Sequence, residues 1–523
     1  MEYMQNIVKL NVYDDPTEAE SEGSSYSFFK NMESYYLNGR TQNMPINDVE
    51  NELLADIIEL GRRLLQEHLD RRGDGDVGVA IIRNDGKKLS HKRIGKKSLE
   101  TMFGRVKTER MGYGNRGESS IFPQDEKLEM PGWLYSYPLE ERVCREAVRS
   151  SYDEIDETLG KYTGAHVPKR QSLNIVSKSS EDFEAFYEQK LPHPSSDAGI
   201  LVLTADGKGV VMREDGLRDK TRQRSRSQKK SKRLSKGEKK NRKREALVAS
   251  VYNIKPRIRS IDDVMGEMNR EKDAAGNREK PEGKRVWASV EKEKNVVFNE
   301  MLEEGLKRKP ENKTVAFVCD GAKSVQNPAV DILEPAFKYK CLKFIIILDL
   351  IHVIEYLWKA VYALGGSGPD AEDLVNKHLR MILEGRCHVA AAAMRRSATR
   401  KKLEGEKRKT VDKSADYILK NKDYMRYNEY LEAGLPIASG VIEGACKHLV
   451  KDRFEISGAR WGLQGAEALL KLRAVYQSGD WDEYWKCHIS REQKRLHRDR
   501  RWKPFNNEKN FPKLTVIWGG KAS

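Results

Sequence analysis

The chain has 523 residues, with 96 Lys and Arg against 80 Asp and Glu and a formal charge of +16. That length suits about two to four domains, and the cationic balance favours a polyanionic partner. Six cysteines (Cys144, Cys319, Cys341, Cys387, Cys446, Cys487) show no CxxC pair and no regular spacing, which argues against a disulfide framework and a zinc ribbon; every apolar run is too short to cross a bilayer.

Residues 1–45 are polar, with scattered Tyr and Phe and no clear period, and read as a tail. Ile46 to Leu69 places Val49, Leu53, Ile57, Leu60, Leu64 and Leu65 along one side, an amphipathic helix that packs or pairs. VGVAIIR and ETMFGRVKTERMGYG, broken by Asn84-Asp85-Gly86 and by glycines, fit small antiparallel hairpins. Pro123 and Pro131 close that unit, so 46–135 is expected to stand as a helix with hairpins.

Residues 136–190 return to a helical pattern. In SYDEIDETLGKYTGAHVPKRQSLNIVSK, a helix ending near Tyr162, a turn with Gly164 and a new start at Pro168 give the layout of a helix-turn-helix. Its second helix would present Lys169, Arg170, Gln171 and Asn174 where major-groove readers place base-contacting side chains. An ordinary helical hairpin with a cationic first turn would carry the same residues.

From about residue 198 the period becomes that of strands. GILVLTADG, KGVVMRE and REALVASVYNI read as three strands, with a basic loop over 218–245 joining the second to the third. That loop holds fifteen basic and three acidic residues, a local charge of +12. It is expected to be solvated, with Arg224, Lys229, Lys230, Arg233, Lys239, Lys240, Arg242, Lys243 and Arg244 available to neutralise DNA phosphates. A helix from Val286 to Lys307 follows, then the strand TVAFVCDG, a helical stretch around Val330 to Phe337, and the strand KFIIILDL running into IHVIEYLWKAVYAL.

Three strands, a helix, a strand, a helix and a strand are the order of an α/β, RNase H-like core: a mixed five-stranded sheet with its first and fourth strands side by side. The core would span 198–364, give way to an all-helical insertion at 365–435, and resume at 436–486 before a basic tail at 487–523. In the resumed part, SGVIEGACKHLVKDRFE starts a helix with Glu443 in its first turn.

Three acidic residues thus stand at the ends of apolar runs: Asp206, Asp320 and Glu443. Strand pairing would bring Asp206 to Asp320. Carboxylates gathered where buried elements meet solvent suit hard divalent ions such as Mg²⁺, and hence phosphodiester chemistry. Taken singly, each is as well explained as a helix cap or a strand-end charge. Asp349 also ends an apolar strand, and the residues alone leave it open as the second ligand, with Asp320 supporting. His352, one helical turn on, is placed either to donate to a phosphate or to orient Asp349, or simply to line the core.

The segments LDLIHVIEYLWKAVY and LPIASGVIEGACKHLVKDRFEISGARWGLQGAEALLKLRAVYQSGDWDEYW, with GYG, VPKRQ, ADGKGVVM and KGEKKNRKREALVASVY upstream, resemble the transposases of the ISKra4 group of bacterial insertion sequences. That group is similar to Mutator-like and IS256-type DDE enzymes, and the likeness runs from about Leu99 to Trp485. It implies an RNase H-like catalytic domain and a DDE triad on Asp206, Asp320 and Glu443 that binds two Mg²⁺ or Mn²⁺ ions. It also implies transfer of a mobile element by cleavage and joining of DNA strands. A D-x-x-H motif matches Asp349 and His352, and Trp461 in GARWG resembles a downstream tryptophan that would stack on a displaced base, where a buried core Trp is the plainer reading.

The expected partners are double-stranded DNA, both element ends and target, and a second copy of the chain. Synapsis of two ends calls for at least a dimer, with the helix of Ile46 to Leu69 as candidate contact. No signal peptide opens the chain, so a cytoplasmic, nucleoid-associated location without membrane contact is expected. Two other readings use the same residues: a nuclease or resolvase that cuts without joining, and a domesticated DNA-binding protein.

Overall fold

The computed structural model describes residues 24–192, 199–227, 242–269, 280–311, 313–497 and 502–505. The chain divides into two compact units, one made of Met1–Val143, Asp153–Lys169 and His488–Ser523, the other of Cys144–Tyr152 and Arg170–Cys487.

In the first unit, helix α1 (Ser25–Leu37) starts where the Ser24 hydroxyl accepts the Ser27 N–H at 3.1 Å. It lies on α2 (Ile46–Arg71), with Tyr36 donating to Asp56 at 2.8 Å and Ser25 Oγ to Glu67 at 2.8 Å. The stretch expected to be a tail therefore contains a helix. Its own apolar period is faint, and tertiary hydrogen bonds from a longer helix complete it.

Strands β1 (Ile81–Arg83) and β2 (Lys88–Leu89) pair around the Asn84-Asp85-Gly86 turn, where Gly86 has a φ of 80°. Strands β3 (His91–Thr101) and β4 (Gly104–Gly114) form one long antiparallel hairpin, in register from His91 opposite Gly114 to Thr101 opposite Gly104. Leu69 of α2 meets Val106 of β4 and Met130 in a small core. A late strand, Trp502–Pro504, adds to the edge of β1.

Helices form at Tyr152–Tyr162 (α3) and Lys169–Ser179 (α4), on either side of the Gly164 turn. The division between the units falls at Lys169.

The second unit is built on a mixed five-stranded sheet of β5 (Ile200–Val211), β6 (Lys243–Ile254), β7 (Glu282–Ser289), β8 (Thr314–Cys319) and β9 (Phe344–Leu348), in the order β7-β6-β5-β8-β9. β5, β6 and β7 are antiparallel neighbours, while β5 with β8 and β8 with β9 are parallel. The first and fourth strands are adjacent, as the element order requires.

The membership of the strands differs from expectation. GILVLTADG and KGVVMRE are one continuous strand, paired with β6 without a break from Ile200 opposite Ile254 to Val211 opposite Lys243. Asp206-Gly207-Lys208-Gly209 carries a turn's composition, yet the glycines serve close approach: a Cβ on Gly207 would collide with the Glu245 carboxylate, and one on Gly209 with Lys243. The basic segment therefore joins the first strand to the second. The third is β7, whose final VWAS had been assigned to the following helix; that helix, α5, spans Lys294–Lys307. Val286, Trp287 and Ala288 are buried, so their apolar run fits a strand and a helix equally, and sheet pairing decides.

On one face of the sheet, Ile200, Val202, Ala316, Val318 and Ile347 pack against α6 (Leu350–Ala363) and the helical stretch that follows. That stretch comprises α7 (Gly368–Leu383), α8 (Cys387–Arg400), α9 (Gly405–Lys420) and α10 (Tyr427–Glu432). Leu379, Met394, Ile418 and Tyr427 from these helices join the same apolar cluster, so the insertion is fused to the sheet's core. Tyr356 of α6 and Tyr417 of α9 stack with centroids 3.8 Å apart. The opposite face carries Phe317, tilted against Phe298 of α5 at 5.8 Å. After Pro436 the chain forms α11 (Gly440–Ala445), a π-helical turn at Cys446–Lys451, and later α12 (Leu463–Ser478), which packs on β7.

Phe317 is wholly buried between sheet and helix. Truncation by Phe317→Ala is expected to destabilise the second unit by about 3–5 kcal/mol, read as a lowered denaturant midpoint; an unchanged midpoint would contradict this packing.

Candidate carboxylate site

Parallel pairing sets out the site. Ala205 lies opposite Cys319, and Cys319 opposite Leu348. One residue further, Asp206, Asp320 and Asp349 follow on three adjacent chains, continuing the row of Thr204, Val318 and Ile347 two positions back. Side chains alternate along a strand, so the three aspartates share the face of the Val202–Val318–Ile347 core. The row ends where β8 and β9 stop, while β5 runs on beside β6 alone.

Each aspartate has a different setting. Asp206 is half-buried; its Oδ1 accepts the Gly207 N–H at 2.7 Å and its Oδ2 accepts the Cys446 thiol at 3.2 Å. Burial and the neighbouring Asp206 carboxylate push the Cys446 thiol up, so it stays protonated as a donor. Asp320 is also half-buried, and Oδ1 accepts the Ala322 N–H at 3.1 Å. Burial raises its pKa from the ordinary Asp value, and the charge of Asp206 adds to the rise; the Ala322 N–H, His352 and Lys294 oppose it. Asp206 and Asp320 are thus close enough to repel.

Asp349 is only 1% exposed. Its Oδ1 caps α6 by accepting the Ile351 N–H at 2.9 Å, and its Oδ2 accepts the Ser439 N–H at 3.1 Å, just ahead of α11. The Leu350 N–H donates to Ile437 O at 2.9 Å beside it. Burial pushes Asp349 up to about 6, and Glu443 contributes to the rise, while both backbone donors and His352 pull the other way. Its two oxygens thus tie the start of α6 to the backbone from which the Glu443 helix starts.

Glu443 itself is exposed in the first turn of α11, which packs against β5 and β6. Three residues on, Cys446 shares its side of the helix and reaches Asp206. The α-to-π change at Cys446 sits at this contact. Among the described residues no three His, Cys, Asp or Glu side chains are gathered closely enough to hold a metal ion. The described atoms give a pair, Asp206 and Asp320, with Glu443 on the adjoining helix. The donor chemistry, half-buried carboxylate oxygens, suits a hard divalent cation.

The site has two members that the sequence reading missed. Cys446 was passed over as an isolated thiol, although its spacing from Glu443 was a visible signal. Tyr417, from α9, accepts the Gly321 N–H at 3.2 Å beside Asp320, and a Cβ on Gly321 would sit 2.5 Å from its ring. Nothing local announces a contact across 96 residues.

The residues expected to bind DNA are dispersed. Lys169 pairs with Asp153 at 2.5 Å, Arg170 is exposed, and Asn174 donates to Gln171 at 3.4 Å. Arg224 is exposed on the short helix Asp219–Arg226, and Arg242 is half-buried. Lys243 stands 3.8 Å from Glu455. Arg244 is committed to structure, its Nε donating to Val290 O at 2.5 Å and Nη1 to Gly216 O at 3.2 Å, which corrects its reading as a free loop cation. Lys229, Lys230, Arg233, Lys239 and Lys240 lie outside the described residues. Trp461 is 6% exposed; it packs on Phe454 at 4.6 Å and donates to Phe454 O at 3.2 Å. Its backbone bridges Val211 and Arg213, so it is a core residue with no face open to a base.

No protein-family model matches the chain, and no curated protein matches it either. Among solved structures, the chain is similar to one in the Drosophila P element transposase strand transfer complex, with a TM-score of 0.24 and 11% identity over 72% of this chain and 87% of that one. So loose a superposition bears no weight on fold or chemistry.

Asp349→Ala would leave the buried Ser439 N–H and the half-buried Ile351 N–H without their acceptor. It is expected to destabilise the second unit by about 2 kcal/mol or more and to loosen Ser439–Glu443, measured as faster amide exchange there. Unchanged exchange would show that the carboxylate does not hold this segment.

Proposed function

We propose that this protein is a DDE-type DNA transposase of a bacterial insertion sequence, which binds element ends and catalyses divalent-metal-dependent cleavage and strand transfer. The observation that carries the reading is the in-register row that sets Asp206 beside Asp320, with the Glu443 helix packed on β5, the strand of Asp206, and on β6. The strand order and the helix after β9 fit an RNase H-like core, and the ISKra4 resemblance accounts for the same three carboxylates.

Asp206, Asp320 and Glu443 would hold two Mg²⁺ or Mn²⁺ ions, which when bound lower the pKa of an attacking hydroxyl and stabilise the leaving oxygen of an in-line displacement. The chain's own residues do the rest. Asp320 is preferred over Asp349 as second ligand because it is half-buried with one oxygen uncommitted among the described residues, whereas Asp349 is sealed and both its oxygens accept backbone N–H groups. Asp349 is then a positioning residue for Glu443. The Cys446 thiol fixes the orientation of the Asp206 carboxylate. His352, within electrostatic reach of Asp320, is placed to donate to a phosphate oxygen. The reaction would run twice through one pocket: water frees a 3′-hydroxyl at an element end, and that hydroxyl attacks target DNA. Lys169, Arg170, Gln171 and Asn174 on α4, as the second helix of a helix-turn-helix, would read the ends, with Arg224, Arg242 and Lys243 adding phosphate contacts.

Asp206→Ala, Asp320→Ala and Glu443→Ala are each expected to abolish both cleavage and joining of labelled end-DNA into a plasmid in Mg²⁺, while end binding persists. Retained joining by any of them removes that residue from the catalytic set, and wild-type cutting without joined product favours the nuclease reading. Arg170→Ala is expected to weaken end binding and flatten its salt dependence by about 0.9 in the log–log slope per phosphate lost; an unchanged slope would place Arg170 away from the backbone.

A further inference from the structure

Helix α2 has three sides, and two are occupied. One meets α1: Tyr35 donates to Glu52 at 3.0 Å, Tyr36 to Asp56 at 2.8 Å, and Ser25 Oγ to Glu67 at 2.8 Å. Another meets the hairpin: Gln66 donates to Lys107 O at 2.7 Å, Gly61 lies against the Phe103 ring, and Leu65 and Leu69 enter the core with Val106. At 100° per residue, the third side carries Ile46, Glu50, Leu53, Leu54, Ile57, Leu64, His68 and Arg71, and Gly61 with the Phe103 ring against it stands at its flank. Its apolar members are exposed: Ile46 80%, Leu53 40%, Leu54 42%, Ile57 49% and Leu64 53%. The stripe from Ile46 to Leu64 is about 27 Å long at 1.5 Å per residue, too continuous for the scattered apolar residues of an ordinary surface.

The spacing of Leu53, Ile57, Leu60 and Leu64 is four, three, four, the repeat of a helix-pairing seam. Its charges fix the direction. Glu50 stands at one end and Arg71 at the other, and neither makes an ion pair among the described residues. Laid antiparallel, two copies bring Glu50 opposite Arg71, Leu53 opposite His68 and Ile57 opposite Leu64, and each pair occurs twice by symmetry. A parallel pair would set Glu50 against Glu50 and Arg71 against Arg71. We propose that this face of α2 is a self-association surface on which a second copy of the chain packs its own α2 antiparallel, in the register that joins Glu50 to Arg71.

The register is self-complementary, as a two-fold interface must be. Apolar contact along Leu53, Ile57 and Leu64 supplies affinity, and the terminal charges select orientation. This surface is independent of the carboxylate site and of the chemistry assigned to it.

The test is sedimentation equilibrium of the full chain over a range of concentrations, with circular dichroism as a check that each variant is folded. The wild type is expected to be a reversible dimer and Ile57→Lys a monomer. Glu50→Arg and Arg71→Glu should each weaken the dimer by about five- to tenfold, through two like-charge contacts apiece, and the double variant Glu50→Arg/Arg71→Glu should recover wild-type association. A wild type that is monomeric throughout overturns the proposal, as does a dimer indifferent to Ile57→Lys. Single charge variants that weaken association without recovery in the double variant overturn the antiparallel register. If deletion of residues 1–23 converts a monomer into a dimer, that segment occupies the stripe in the full chain and the proposal fails.

Discussion

The parallel pairing of Ile200–Ala205 with Thr314–Cys319 is the constraint on which the candidate site depends. Asp206 and Asp320 are 114 positions apart in the chain, and only strand register makes them neighbours. A slip of one residue would turn Asp320 to the opposite face, toward the side where Phe317 meets Phe298. The alternation of β8 guards against that slip, because Ala316 and Val318 fit the cluster under α6 while Phe317 fills the space beneath α5. Core packing thus aligns the carboxylates before any ligand arrives.

Burial then gives chemically similar residues different roles. Asp320 and Asp349 each end an apolar strand in the same row. Asp349 is sealed at the foot of α6 and spends both oxygens on backbone donors from two segments, which links the end of β9 to the start of the Glu443 helix. Asp320 keeps an oxygen and part of its surface. The D-x-x-H pattern at Asp349 and His352 therefore reads as a brace beside the candidate site, with His352 within electrostatic reach of both aspartates. The helical insertion contributes as well, through Tyr417 against the Asp320 turn and its stack on Tyr356.

Much of this was legible in the sequence, and the failures have physical reasons. The apolar runs before Asp320 and Asp349 and the helix of Glu443 were visible because burial on both sides leaves a continuous hydrophobic stretch. The order of strands and helices gave the neighbouring pair β5 and β8. What misled was local chemistry under tertiary control: Asp206-Gly207-Lys208-Gly209 has a turn's composition yet lies mid-strand, and Val286–Ser289 has no period to separate strand from helix. Helix α1 escaped notice because hydrogen bonds to α2 complete it. Trp461 suits either reading by its sequence, and packing on Phe454 decides for the core; Arg244, in β6, is held by Val290 and Gly216.

Asp206, Asp320 and Glu443 are proposed to share one divalent-cation site. Its most direct measurement is titration of Mn²⁺ into the protein with end-DNA, followed by the electron paramagnetic resonance signal of the free ion. About two bound ions per chain are expected, with loss of binding in Asp206→Asn, Asp320→Asn and Glu443→Gln but not in Glu245→Gln. Equal Mn²⁺ uptake by the wild type and the three site variants would contradict it.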